Sequence, residues 1–345
     1  MGQFASHSVD EKSLETKHTS ASLTTSIGSM QGYRVTMEDA HCLAHDASIH
    51  PDFEISIFGV FDGHGGKKSA KYVSEVLPCL LMKRLLARFH NSLEGTSGDL
   101  LERLGKIEAQ IDYLKFLRDC FFKVDSALSE QNFNSGSTAV VALLVNRRLV
   151  VANVGDSRCY VSVNGIAKSL SYDHKPNNVG ELMRIHRSGG FVAMNRVNGV
   201  LALSRAFGDF GFKAGLMSVP GPNGKRHAVV RIPPEETPVT CEPEVIVHTL
   251  GRSDEFLVLA CDGIWDCYKN QTLNNEIRDW ILKGKSLQEI CQIVLDNSLG
   301  MANNVTGIGY DNMTIMLVAL HQREGSVEAW YDEMIEKLSK RRGLI

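Results

Sequence analysis

The segment Glu54 to Phe61, EISIFGVF, constrains the fold most: it is almost continuously apolar over eight residues and stops on Asp62-Gly63-His64-Gly65-Gly66. A run of that length and character suits a β-strand buried on both faces, which requires a covering layer on each side of its sheet. Two further apolar strands carry acids at their ends, Phe256 to Ala260 leading to Asp262 and Met313 to Leu320 preceded by Asp311 and Asn312. A net charge of −3, from 37 Lys and Arg against 40 Asp and Glu, gives no overall basic field for nucleic acid. No apolar run approaches the roughly 20 residues of a membrane span. Eight scattered cysteines without a C-x-x-C pair, and no secretory signal, predict a reducing, cytoplasmic or nuclear setting with neither a disulfide framework nor structural zinc.

Residues 1–22 are Ser-, Thr-, His- and Lys-rich without periodicity and read as a mobile tail. Met1-Gly2-Gln3-Phe4-Ala5-Ser6 fits the N-myristoylation pattern at Gly2. One acyl chain without a polybasic partner gives only weak, reversible membrane association. Residues 23–322 read as one domain in which strands and helices interleave, predicting sheets covered by helices. A helix is expected from about Lys67, interrupted near Pro78, and a single long helix over Asp99 to Glu130, where Leu100, Leu104, Ile107, Ile111, Leu114 and Leu117 step by threes and fours. Asn164-Gly165 and Asn198-Gly199 supply the paired positive φ angles of tight hairpin turns. A flap is expected over about 205–240, its proline-rich part at 217–240 without periodicity, and an amphipathic helix within 323–345 carries Val327, Trp330, Met334 and Leu338. His41 and His45, four apart in HCLAH, lack the glutamate of H-E-x-x-H and read as structural.

A carboxylate at the mouth of a buried strand is costly unless its charge is compensated. Any single Asp-Gly more often makes a turn than binds a metal. Recurrence at three strand ends, with Glu38 and Asp39 adding two acids, favours a divalent cation, and hard oxygen donors suit Mg²⁺ or Mn²⁺. Spacing leaves open whether these acids converge.

Arg34 with Met37-Glu38-Asp39, Phe61-Asp62-Gly63-His64-Gly65-Gly66, Ser135-Gly136-Ser137-Thr138-Ala139, Asn153-Val154-Gly155-Asp156-Ser157-Arg158, Asp173-His174-Lys175-Pro176, Leu203-Ser204-Arg205-Ala206-Phe207-Gly208-Asp209, Ala260-Cys261-Asp262-Gly263-Ile264-Trp265-Asp266 and Asp311-Asn312-Met313-Thr314 resemble, in order, the motif series of the metal-dependent type 2C Ser/Thr protein phosphatases. The resemblance implies an α+β fold, a central β-sandwich of two antiparallel sheets flanked by helices, with two Mn²⁺ or Mg²⁺ ions at one end. It implies that Asp62 bridges both ions, that the Gly63 carbonyl, Asp262 and Asp311 complete their ligands, and that Asp156 and Asp266 hold a weaker third. Arg34 then grips the substrate phosphate, His64 protonates the leaving alkoxide, and Glu38, Asp39, Thr138, Asp209 and Asn312 support the ions or order water. The implied reaction is hydrolysis of phosphoserine and phosphothreonine by a metal-bridging hydroxide, with no covalent phosphoenzyme, in a monomer acting on phosphoproteins. Phosphate-monoester hydrolysis is among the slowest uncatalysed reactions, which is why charge neutralisation and hydroxide formation must be combined. A catalytically dead phosphoprotein binder is the rival class; loss of a bridging aspartate would have favoured it, and all are present. A merely metal-stabilised module would need neither Arg34 nor His64.

Overall fold

A computed structural model describes residues 4–20, 22–93, 98–220, 227–321 and 326–341. Eleven strands build a sandwich: β1 (Phe4–Ser20), β2 (Leu23–Arg34), β3 (Ala40–His50), β4 (Phe53–Phe61), β5 (Ala139–Val145), β6 (Arg148–Val154), β7 (Arg158–Val163), β8 (Ile166–Ser169), β9 (Glu244–Thr249), β10 (Asp254–Ala260) and β11 (Met313–Leu320). One sheet runs β1-β2-β11-β10-β7-β8 and the other β9-β6-β5-β4-β3. Every pairing within them is antiparallel. Helices α1 (Lys68–Leu93), α2 (Leu100–Ala109) and α3 (Tyr113–Ser129) associate with the five-stranded sheet; α5 (Asp262–Trp265), α6 (Asn270–Leu282), α7 (Leu287–Gly300) and α8 (Val327–Arg341) with the six-stranded one; α4 (Val179–Arg187) lies outside both layers.

Three cores follow from the alternation along the strands. Phe58, Val60, Val140, Leu257, Leu259, Met316 and Val318 fill the space between the sheets. The opposite side chains of β4, Ile55, Ile57 and Phe61, pack with Leu77, Leu81 and Phe121 of the helices. Val258, Ile277, Val294 and Trp330 form the third core. The doubly buried strand inferred from EISIFGVF thus sits between sandwich core and helix layer.

Several expectations are corrected. The tail is not free: Phe4–Ser20 pairs antiparallel with β2 and forms the sheet edge. Its order comes from the partner rather than from its own pattern. Gly28 leaves room for Leu14 against Cys291 and Leu295, Lys12 meets Asp296 at 2.7 Å, and Thr16 with Ser26 (3.0 Å) and Thr19 with Thr25 (2.8 Å) pair hydroxyls across the strands. The region Asp99 to Glu130 is two helices, because Asp112 caps a fresh N-terminus by accepting from the Lys115 amide at 3.0 Å. Pro78 does not interrupt α1; it is buried within it, on a helix whose Val73, Leu77, Leu81 and Leu85 are sealed in the core. The proline-rich flap carries a two-stranded ribbon, Leu216–Pro220 with His227–Arg231. His41 and His45 lie on strand β3, where His45 Nδ1 and Ser56 Oγ are 2.9 Å apart.

Candidate functional site

The strand ends that carry acids all open at one rim. Ala40 lies opposite Phe61, Ala139 opposite Val154, Ala260 opposite both Arg158 and Ile315, and Met313 opposite Met30. Asp39, Asp62, Asp156, Asp262 and Asp311 therefore come from both sheets to a single place. A cavity of about 640 Å³ there is lined by Arg34, Glu38, Asp62, Gly63, His64, Thr138, Asp156, Asp262, Asp311 and Asn312, together with Arg196 and Leu201–Leu203. Asp39 lies beneath it, Asp209 behind His64, and Asp266 at the end of α5, where its amide donates to the Asp262 carbonyl at 2.8 Å. Gly2 lies outside the described residues.

Carboxylate oxygens of Asp62, Asp156 and Asp262 lie within 4.8 Å of one another, as do ligand atoms of Asp39, Asp62 and Cys261. Burial, then the fields of Asp262, Asp39, Asp311 and Asp156, push the Asp62 carboxyl well above its ordinary range. Burial and Asp156, Asp311 and Asp266 do the same to Asp262. Burial raises Asp39 to about 7 against a hydrogen bond from Thr314 (2.7 Å), and its other oxygen, Oδ1, is buried without a partner. Crowded acids with unmet charge and an orphaned oxygen fit hard divalent cations. Cys261 does not change that: burial and the neighbouring acids hold its thiol well above the usual range, and its sulfur accepts from the Thr314 amide at 3.1 Å.

The supporting groups are ordered by their own bonds. Thr138 clamps the Asp62 backbone from both sides, Oγ1 accepting from the Asp62 amide (3.0 Å) and its amide donating to the Asp62 carbonyl (2.9 Å). Asn312 accepts from the Glu38 amide (2.9 Å) and donates to the carbonyls of Gln31 (2.8 Å) and Thr36 (3.0 Å), fixing the segment that carries Arg34. Glu38 accepts from the Gly66 amide at 3.1 Å, and Arg34 meets Asp311 at 2.5 Å. His64 Nε2 lies 2.6 Å from Asp209 Oδ2. Burial opposes the imidazolium, but the bond to Asp209 and the charges of Asp209, Asp156 and Glu38 outweigh it and raise the His64 pKa.

Lys175, Gly136 and the cavity-lining Arg196 take part without the sequence assigning them a role. Lys175 makes an ion pair with Asp156, so one protein cation already faces the acids. Its Asp-His-Lys-Pro motif is visible, but a lone lysine announces no partner. Gly136 is required because a β-carbon there would overlap Asp209 Oδ2 and His64 Nε2. Among the described residues, the cavity wall beyond the sandwich rim includes Arg196 and Leu201–Leu203.

A family model described as protein phosphatase 2C matches residues 23–306. Protein phosphatase 2C homolog 4 of Saccharomyces cerevisiae is 37% identical, with all of both chains covered. Protein phosphatase 2C homolog 3 of Schizosaccharomyces pombe is 39% identical over 99% of this chain and 75% of its own. A solved phosphatase structure from Toxoplasma gondii shares the fold, with a TM-score of 0.65 at 24% identity, covering 90% of this chain and 96% of that one.

Proposed function

This chain belongs to the protein phosphatase 2C family and is a metal-dependent protein serine/threonine phosphatase; from that premise we propose that it hydrolyses phosphoserine and phosphothreonine by direct attack of water, without a phosphoenzyme. The observation that carries this reading is one cavity that joins an acid cluster from both sheets to an arginine and a histidine. Two Mn²⁺ or Mg²⁺ ions, held by Asp62, the Gly63 carbonyl, Asp262 and Asp311, with Asp156 and Asp266 offering a weaker third place, would supply charge to offset the phosphoryl group and acidify water near neutral pH.

The remaining work falls to the chain. Arg34, steadied by Asp311, offers a planar guanidinium that matches two phosphate oxygens at once and stays charged. A departing serine or threonine alkoxide needs a proton. With Nε2 engaged by Asp209, the Nδ1–H of a protonated His64 is the one left to give, and the raised pKa favours the protonated ring. Asp209 thus orients the ring and stabilises its charge. Thr138 and Asn312 keep Asp62 and Arg34 in register. A cysteine nucleophile is disfavoured because Cys261 is buried, hydrogen-bonded and held in its thiol form.

The test is Mn²⁺-dependent release of phosphate from p-nitrophenyl phosphate and from a phosphothreonine peptide. Asp62→Asn is expected to abolish both, and acid quenching during turnover to trap no labelled protein. A folded, metal-loaded wild type that releases no phosphate would overturn the reading.

A further inference from the structure

Between α4 and the rim of the cavity, apolar side chains stand where both solvent and backbone disfavour them. Val192–Ala193 pairs with Arg196–Val197, leaving Met194 and Asn195 as a two-residue turn. Their φ angles are 51° and 58°, the left-handed pair of a tight hairpin, for which asparagine and glycine are favoured. Asn195 suits that role. Met194 does not, and at 94% exposure no packing offsets its strain. Backbone strain at an exposed apolar residue points to a function outside the fold's own stability.

The neighbours extend the patch. Phe191 and Val200 are also exposed, and Val35 is an exposed apolar residue in the cavity lining itself. The hairpin is fixed to the cavity rather than loosely appended. Arg196 lines the cavity and donates to the Val200 carbonyl at 2.8 Å; the Phe191 amide donates to Asn198 Oδ1 at 3.1 Å; Val197 is buried with Ile185, Ala206 and Val239. Met194 stands only two positions before Arg196, in the turn that directly precedes it.

We propose that Met194, with Phe191 and Val200, forms a docking patch for an apolar side chain of the phosphoprotein substrate close to its phosphorylated residue, an inference that rests on reading the cavity as the phosphatase site. Continuity with the cavity selects this occupant, since a polypeptide that places its phosphate beside Arg34 passes the same rim. An unbranched thioether adapts to side chains of different shape, which suits a surface that meets many sequences.

The experiment compares full-length, Mn²⁺-loaded wild type with Met194→Asn and Met194→Leu. Substrates are p-nitrophenyl phosphate, a phosphothreonine peptide flanked by serines, and versions of that peptide with one leucine walked through the flanking positions. Wild type is expected to prefer at least one leucine peptide. Met194→Asn, which relieves the turn, is expected to unfold no earlier than wild type and to lose that preference by roughly three- to tenfold in kcat/KM, mainly through KM. Activity on p-nitrophenyl phosphate and the all-serine peptide stays unchanged, and Met194→Leu retains the preference. An equal loss on p-nitrophenyl phosphate, no preference in wild type, or a wild-type dimer that Met194→Asn dissolves would each overturn the docking proposal. No hydrolysis of any substrate by wild type would instead overturn the phosphatase reading beneath it.

Discussion

At the scale of single residues, Gly136 shows how little space the site leaves. Its missing side chain is what lets Asp209 reach His64 at 2.6 Å, and a methyl group there would meet both partners. Gly136→Ala is therefore expected to lower kcat on p-nitrophenyl phosphate roughly a hundredfold by misplacing the imidazole, while circular dichroism stays native. Unchanged kcat would show that the His64–Asp209 contact has no part in turnover. Asp62, Asp262 and the histidine were legible as residue types because each sits beside a glycine, and Asp39 because it forms an acidic pair with Glu38. Gly136, Lys175 and Arg196 were not legible in their roles. Their importance lies in what faces them across the fold, and nothing in their own neighbourhood along the chain records it.

At the scale of elements, the strand ends bring like charges together. The folded carboxyls of Asp39, Asp62 and Asp262 are raised above their ordinary value of 3.8, the first to about 7. A raised acid contributes stability below its unfolded pKa and loses it as pH climbs through the folded one. Metal-free protein is accordingly expected to lose stability between about pH 4 and pH 7, and Mn²⁺ to raise its melting temperature more at pH 7.5 than at pH 5.5. A scanning-fluorimetry series with the opposite order would contradict the electrostatics described for the rim. Strands β4, β10 and β11 were readable because their apolar runs are dense. The break at Asp112 was masked because the three-four step continues across it, so only the cap distinguishes two helices from one. Strand β1 was invisible for the reverse reason: it has almost no apolar pattern, and an already formed sheet edge gives it order.

For the whole molecule, that edge strand matters beyond its composition. Removing residues 1–20 would uncover the hydrogen-bonding edge of β2 and the surface Leu14 covers on α7. The truncated protein is expected to lose at least about 2 kcal/mol in urea unfolding and to self-associate on size-exclusion chromatography; wild-type behaviour would make the strand dispensable. The sandwich also joins distant parts of the chain. Arg34 meets Asp311 across 277 positions, and β2 finds β11 only after nearly everything else has been made. At ordinary translation speeds of about 5–20 residues per second, a ribosome needs roughly 12–50 s to pass from His64 to Asp311. Throughout that interval the growing polypeptide holds Asp62 and His64 but not the acid that completes their pocket, so birth of the protein and onset of its chemistry are separate events, and no half-synthesised copy can strip phosphate from its surroundings.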